Sequence, residues 1–477
     1  MADKTPNIIK RCKVLIIGAG AAGLAAADRL DKAGVKDFLV IEAEDRVGGR
    51  VCSGTVREGG SMVEYGAQWI HGEKGNVVHD IASQFGMLSE KGSGVINDVD
   101  AMFLYEDGRQ LSKDMAEEMM MIFSSIEESL EKDSKDYTNQ GQYYHAALQA
   151  QLQERGLHSN KEMCAVAGSY LQWYGRLQAS IDGAPTWYQT AVDQNLQYRE
   201  CEGDQTVTLA NGNTFQGLLQ KIGENVMDRV HLGEKVKKLL HSQNLDCVKV
   251  ETNKSVYEAD YVIVTLSLGV LKDQVDLFDP PLPEERMSLI NNMGFGTIAK
   301  IFVEFPVKIN EVLPEIKPAG FNFLNSSDLM DTVLQNTANT PWVEELFGLY
   351  PDQADPHLLV AWLTGPAAHQ VESLTPPQVL EKISAVIAAR LAPSLPSLPP
   401  PVSTTVTGWG GNPLTRGSYS YITPTTPPGT PENLSQPLGR ICWAGEATHP
   451  SYFSTVHGAV ETGWREADRI RHLLFKE

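Results

Sequence analysis

Three glycines in the segment Gly18-Ala19-Gly20-Ala21-Ala22-Gly23 have the spacing that holds a pyrophosphate against a main chain. Gly18 permits a tight turn, Gly20 lets a diphosphate approach the backbone, and Gly23 lets a following helix lie close to a sheet. The helix start offers unpaired N–H groups and positive dipole to phosphate oxygens. Glu42, 19 positions beyond Gly23, stands where a carboxylate can accept both hydrogen bonds of a ribose diol. Glycines also mark ordinary turns, so the surroundings decide. Val14 to Ile17 is a short apolar run suited to a strand buried on both faces. Leu24 to Lys32 is Ala/Leu-rich and helical, closed by Gly34, and Phe38 to Ile41 reads as a second strand ending in Glu42. The spacing predicts a βαβ unit that binds a dinucleotide.

Other residues have the chemistry of a reaction centre. Lys300 sits in the apolar strand Ile298 to Phe305, where a lysine must escape to water or be held for a reason. His71 lies beside Gly72, and its ring can bind or desolvate an amine, aid proton transfer, or simply pack. Trp69, Trp409, Tyr419, Tyr452 and Phe453 are candidates for an aromatic wall that grips a cation, with core packing the alternative for each. No cysteine pair has metal-ligand or disulfide-scaffold spacing, and no metal is expected.

The segment Glu42 to Arg50 (EAEDRVGGR) resembles the ExxxRxGGR extension of the flavin-containing amine oxidase superfamily. That resemblance implies FAD, with Arg50 compensating pyrophosphate charge. Ala444-Gly445-Glu446-Ala447-Thr448 is similar to the C-terminal GE(x)T motif, which implies contact between Glu446 and the ribityl–pyrophosphate region. Thr455 and Val456 fall in Ser454 to Ala459, whose backbone meets the pyrimidine edge of flavin in the family, and Val236 matches a position beside the adenine. Gly66, Ala67, Gln68 and Trp69, within Gly66 to Gly72, look like the GAxWIHG segment of polyamine oxidases, with His71 at the substrate channel. Lys300 ends a stretch similar to the one whose lysine holds a water against flavin N5. Thr407 to Trp409, Arg416 to Tyr421 and Gly463 to Asp468 (GWREAD) extend the likeness over nearly the whole chain. It implies an acidic anchor for a distal ammonium, for which Glu64 and Asp204 are the candidates, with Tyr419, Tyr452, Phe453 and Ser454 nearby.

These residues must be positioned by elements from distant parts of the chain. Residues 112 to 132 read as an amphipathic helix with Met119, Ile122, Phe123, Ile126 and Leu130 on one face. Short strands are expected at Val230 to Leu232, Val236 to Leu240, Cys247 to Thr252 and Tyr261 to Leu266. Thr375-Pro376-Pro377-Gln378 opens a helix through Leu391 with capping-box signals. Pro393 to Pro401 and Pro424 to Pro437 read as loops. Ile441 to Ala444 is an expected strand, and Gly458 to Leu474 a helix. The fold class expected is α/β: a Rossmann-like FAD-binding domain from residues 1–85, 206–280 and 406–477, interleaved with an α+β substrate-binding domain from 86–205 and 281–405.

The 477 residues carry a net charge of −20, which disfavours nucleic acid as a partner and suits a cationic substrate or merely a soluble surface. No apolar run is long enough to cross a bilayer, and the six scattered cysteines and polar first residues point to the cytoplasm. The expected reaction is oxidation of spermine, spermidine or acetylated polyamines with molecular oxygen, giving an aldehyde, a shorter amine and hydrogen peroxide. The alternatives are an amino-acid or monoamine oxidase, the histone demethylase branch, or a dissociation-inhibitor-like module that carries a partner without catalysis. The substrate preference, the C–N bond broken and the oligomeric state are not legible.

Overall fold

The computed structural model describes residues 9–89, 101–210, 212–241, 246–313, 320–327 and 340–475. Asn211 of the Asn211-Gly212-Asn213 loop, Lys476 and Glu477 lie outside them. An eight-stranded sheet is centred on Ile9–Ile17, which pairs in parallel with Phe38–Ile41 on one side and Val256–Val264 on the other. Val14, Leu15 and Ile16 are wholly buried, as an apolar run covered on both faces requires. Val230–His231 and Ile441–Trp443 add further parallel strands, while Val236–Leu240 and Val248–Thr252 form an antiparallel pair. The sheet thus draws strands from residues 9–41, 230–279 and 441–443.

Two helices from opposite ends of the chain cross over this sheet, Ala21–Lys32 and Val456–Phe475. Alanines make the first helix thin, and glycine makes the crossing close. A Cβ on Gly463 would lie 2.2 Å from the Ala22 carbonyl oxygen. Leu24, Leu30, Val460 and Ile470 are fully buried in the shared core, each contributing about 1.5–3 kcal/mol by burial.

A six-stranded sheet runs in the order Ser403–Val406, Ile298–Glu304, Leu358–Thr364, Gly348–Pro351, Phe321–Phe323, Met102–Leu104. Helix Lys113–Asp133 begins at the Ser112 cap and buries Met119, Ile122, Phe123, Ile126 and Leu130. With Gln140–Glu154 and Lys161–Asp182 it encloses a core rich in tyrosine and tryptophan. Helix Pro376–Arg390 has the expected capping box at Thr375 and Gln378.

Some local expectations needed correction. The strand expected from Tyr261 begins at Val256, because the polar residues Glu258 and Asp260 alternate with buried ones along it. The proline-rich stretch 424–437 contains a short helix, Thr430–Leu434, started by proline in its first turn. The helices Gln140–Glu154 and Lys161–Asp182 were not anticipated. Among the described residues no helix is long and apolar enough to cross a membrane.

Candidate active site

One cavity of about 720 Å³ joins the two sheets. Its wall includes Gly18, Gly20, Glu42, Arg50, Val236, Glu446 and Ser454 to Val456 from around the larger sheet. It also includes Ile298, Lys300 and Trp362 from the smaller one. The volume is in the range of cofactor and ligand pockets.

The glycine turn is enforced by sterics. Gly18 has φ +104°, and a Cβ there would meet the Thr265 hydroxyl at 2.4 Å. A Cβ on Gly23 would lie 1.9 Å from the Gly18 carbonyl oxygen, so only glycine lets helix and turn approach. At Gly20 the nearest atom to a Cβ is 3.7 Å away, which leaves the cavity side open. Glu42 accepts from the Ala19 N–H at 2.7 Å and the Glu44 N–H at 2.9 Å. Burial raises its pKa, and these two donors oppose that rise. Gly23 and Ala19, both placed with the cofactor-binding turn from the sequence, do not themselves line the cavity. Gly23 acts by packing, while the Ala19 N–H is committed to Glu42 and its carbonyl accepts from Gly48.

The two ends of the chain meet at an ion pair. Arg50 Nη1 donates to Glu446 Oε1 at 2.8 Å and to the Ser418 carbonyl at 2.8 Å. The other Glu446 oxygen accepts from the Ser420 hydroxyl at 2.5 Å and the Ser454 N–H at 2.8 Å. Ser454 has φ +70°, so the chain turns sharply into the helix that starts at Val456.

Lys300 is 6 % exposed and donates to the Glu64 carbonyl at 2.7 Å, the Gly66 carbonyl at 2.9 Å and Gln68 Oε1 at 2.9 Å. Burial lowers its pKa to about 8, and the carboxylates of Glu64 and Asp352 oppose the fall. Gly66 is needed here because a Cβ would lie 1.8 Å from the Arg50 carbonyl. Ala67, Gln68, Trp69 and His71 follow along the cavity wall. His71 Nδ1 lies 2.8 Å from the Gln205 carbonyl. A carbonyl only accepts, so Nδ1 carries the proton and Nε2 keeps its lone pair. Burial lowers the His71 pKa and favours the neutral ring.

Of the aromatic candidates, Trp69, Trp409, Tyr419 and Phe453 line the cavity. Trp409 donates to the Tyr65 carbonyl, and Tyr419 to the Ser180 carbonyl. Tyr452 does not line it. Its ring is held by His449 and His457, each with centroids 4.8 Å away. Both acidic candidates also need correction. Glu64 is absent from the wall, and its carboxylate accepts from the Ser53 hydroxyl at 2.6 Å and the Phe215 N–H at 2.8 Å. Asp204 is likewise off the wall, with Oδ1 accepting from the Thr206 N–H and hydroxyl.

Two acids among the residues that line the cavity, Asp182 and Glu200, were missed by sequence reasoning. Asp182 ends the helix Lys161–Asp182 and is 7 % exposed. Its Oδ1 accepts from Gln194 at 2.7 Å, and among the described residues Oδ2 has no partner. Gln140 and Thr190 approach without completing a hydrogen bond to it. Burial raises the Asp182 pKa to about 7. Trp362 was also missed; it lines the wall beside Trp69, with ring centroids 5.9 Å apart. The signal for Asp182 was the i, i+4 ladder Tyr170, Tyr174, Gln178, Asp182, a buried helix face that ends in an acid. No cysteine among the described residues lines the cavity, and Cys442 is packed in the core with its thiol pushed up to about 12.

These residues fit a flavin dinucleotide: a glycine turn at a helix start, an acid at the next strand end, and a cavity reaching a buried lysine. Comparison with known proteins agrees. The family model described as flavin containing amine oxidoreductase matches residues 21–471. The bovine peroxisomal N(1)-acetyl-spermine/spermidine oxidase is 30 % identical over 97 % of this chain and 95 % of its own. A rice lysine-specific histone demethylase 1 homolog 2 is 29 % identical over 99 % of this chain but 59 % of its own. In fold, a double mutant of putrescine oxidase superposes with a TM-score of 0.68 at 18 % identity, covering 97 % of this chain and 99 % of the other.

Proposed function

Because the chain belongs to the flavin containing amine oxidoreductase family, and is an FAD-dependent amine oxidase, we propose that its substrates are polyamines: spermine, spermidine or their acetylated forms. The observation that carries this reading is one cavity lined by Trp69, Trp362 and Tyr419 together with the acidic residues Asp182 and Glu200. An elongated cation needs such a wall: aromatic faces along its length and a carboxylate for a distal ammonium. Similarity to acetylpolyamine and polyamine oxidases over almost the full chain supports the same substrate class.

Gly18, Gly20, Glu42, Arg50, Val236, Trp409, Glu446, Thr455 and Val456 are the residues that would hold FAD, with Gly66 to Trp69 beside them. When bound, FAD supplies the acceptor for a hydride from the carbon next to the amine nitrogen and returns the electrons to oxygen as peroxide. The protein's part is to bind, orient and deprotonate. His71, neutral with a lone pair on Nε2, accepts a hydrogen bond from the arriving amine and aids passage of its proton to solvent without keeping it, so that the reacting nitrogen is uncharged. Asp182 keeps the remote nitrogen charged and in place. Phe453 and Ser454 close the wall next to the turn that carries Thr455. Lys300 holds water or handles a proton at the reacting end. The six free cysteines suit a reducing compartment, the cytoplasm in this proposal.

Peroxide release from a panel of spermine, spermidine, their acetyl forms, putrescine, leucine and phenylalanine tests the reading. Turnover of at least one polyamine is expected. Turnover of the amino acids alone would overturn it. Replacing Lys300 by Met is expected to leave flavin bound while slowing one flavin half-reaction in stopped flow; unaltered traces would remove Lys300 from the chemistry.

A further inference from the structure

The ammonium of Lys300 has three N–H groups, and the protein takes all three: the carbonyls of Glu64 and Gly66 and the side-chain oxygen of Gln68. A neutral amine has only two N–H groups and could not satisfy this set. The two carbonyls belong to the main chain around a glycine that cannot be replaced without a clash, so they are fixed. Gln68 differs. It is a side chain on the cavity wall, and its amide is oriented by the lysine, because only its oxygen can accept from Nζ. The charged groups that face Lys300 are Glu64, from the strand Val63–Glu64, and Asp352, which follows the strand Gly348–Pro351.

We propose that Gln68 is the positioning residue of Lys300: its carboxamide oxygen holds the third N–H of the ammonium, and rotation of this one side chain releases that N–H to a water in the cavity. The proposal rests on Lys300 working beside the bound flavin. It reconciles that role with a lysine whose hydrogen bonds are all made within the protein. Gln68 favours the charged lysine, because a neutral oxygen acceptor stabilises an ammonium more than an amine. Removing the acceptor lowers the proton affinity of Lys300. Replacing it by a carboxylate of the same shape raises it.

The test follows Lys300 directly in the holoenzyme. Its side-chain resonance in lysine-labelled protein is identified by its loss in K300M and titrated in wild type, Q68M and Q68E. The midpoint is expected to fall by roughly one pH unit in Q68M and to rise by roughly one in Q68E. Midpoints in both variants that coincide with wild type would overturn the proposal. Q68E is isosteric, so its result stands even where Q68M folds poorly. Flavin reoxidation by oxygen, measured against pH in the same proteins, should move with the midpoint. A resonance that shifts while reoxidation stays constant would instead remove Lys300 from the flavin chemistry and leave the hydrogen bond to Gln68 established.

Discussion

The two halves of the cavity are made of different materials. Around the glycine turn the wall joins main chain (Gly18, Gly20, the N–H groups at the start of Ala21–Lys32, and the Ser454 turn) to three charged residues, Glu42, Arg50 and Glu446, which are held in place by it and by each other. Around Lys300 and Asp182 it is side chain, contributed by the strands Ile298–Glu304 and Leu358–Thr364, the segment Gly66 to His71 and the helix ending at Asp182. The first half recognises a constant part, a diphosphate and two sugars, which a main chain can match once. The second must match a substrate, and side chains can be exchanged without refolding the domain. Substitutions should therefore divide by effect: loss of flavin at one end, altered substrate handling with flavin intact at the other.

The largest effect should come from Gly23→Ala. Its methyl must enter a space where the Gly18 carbonyl is 1.9 Å away. Displacing the turn costs about 1–3 kcal/mol, so flavin should bind roughly 10- to 100-fold more weakly. Flavin absorbance per protein after gel filtration measures this, and full retention would mean the turn is not rigid. Next is Asp182→Asn, which should lower kcat/KM for a polyamine by roughly 10-fold, as expected for a lost charge-assisted bond, while flavin content stays constant. A fall in flavin content instead would erase the distinction between the halves.

The pH dependence sharpens the same contrast. With its pKa raised to about 7, Asp182 loses its charge as pH drops through that value. The kcat/KM for a polyamine should then fall as pH drops below 7, the Asp182 component levelling off near the roughly 10-fold loss given by Asp182→Asn, which should remove that component while leaving the one from His71. The stability consequence has the opposite sense. A carboxyl whose folded pKa is above its unfolded value stabilises the fold at low pH, and that contribution is lost as pH rises from about 4 to about 7. Asp182→Asn should thus melt higher than wild type at pH 8, and an unchanged melting temperature would mean the carboxyl is better solvated than its burial suggests. The smallest effect belongs to Asp204→Asn. This residue is off the wall and serves a local turn through Thr206, so kinetic constants should change less than about 2-fold.

The contrast also explains what could be read before the structure. Gly18, Gly20, Gly23 and Glu42 were legible because the backbone geometry that needs them is local and has fixed spacing. Glu446 and the Ser454 turn were legible only through resemblance, since nothing in their spacing points to Arg50. Asp182 was hidden because its partners, Gln194, Gln140 and Thr190, meet it only after three segments fold together. Tyr452 was misplaced for a local reason. It is next to Phe453 in sequence, but the left-handed turn at Ser454 follows, and Tyr452 stacks on His449 and His457 while Phe453 reaches the cavity. Glu64 was misjudged because an acid beside an active-site motif was taken for a ligand contact, when a neighbouring hydroxyl and an N–H already occupy it.

The ion pair of Arg50 with Glu446 joins residues 396 positions apart. During synthesis, the glycine turn leaves the ribosome long before the acid that completes its surroundings. With translation at about 5–20 residues per second, the early segment waits roughly 20 to 80 seconds for its counterpart. Vitamin loading is therefore a late event in the life of each molecule, and a chain halted by a premature stop codon before Glu446 would be translated almost in full yet lack one wall of the nucleotide's seat.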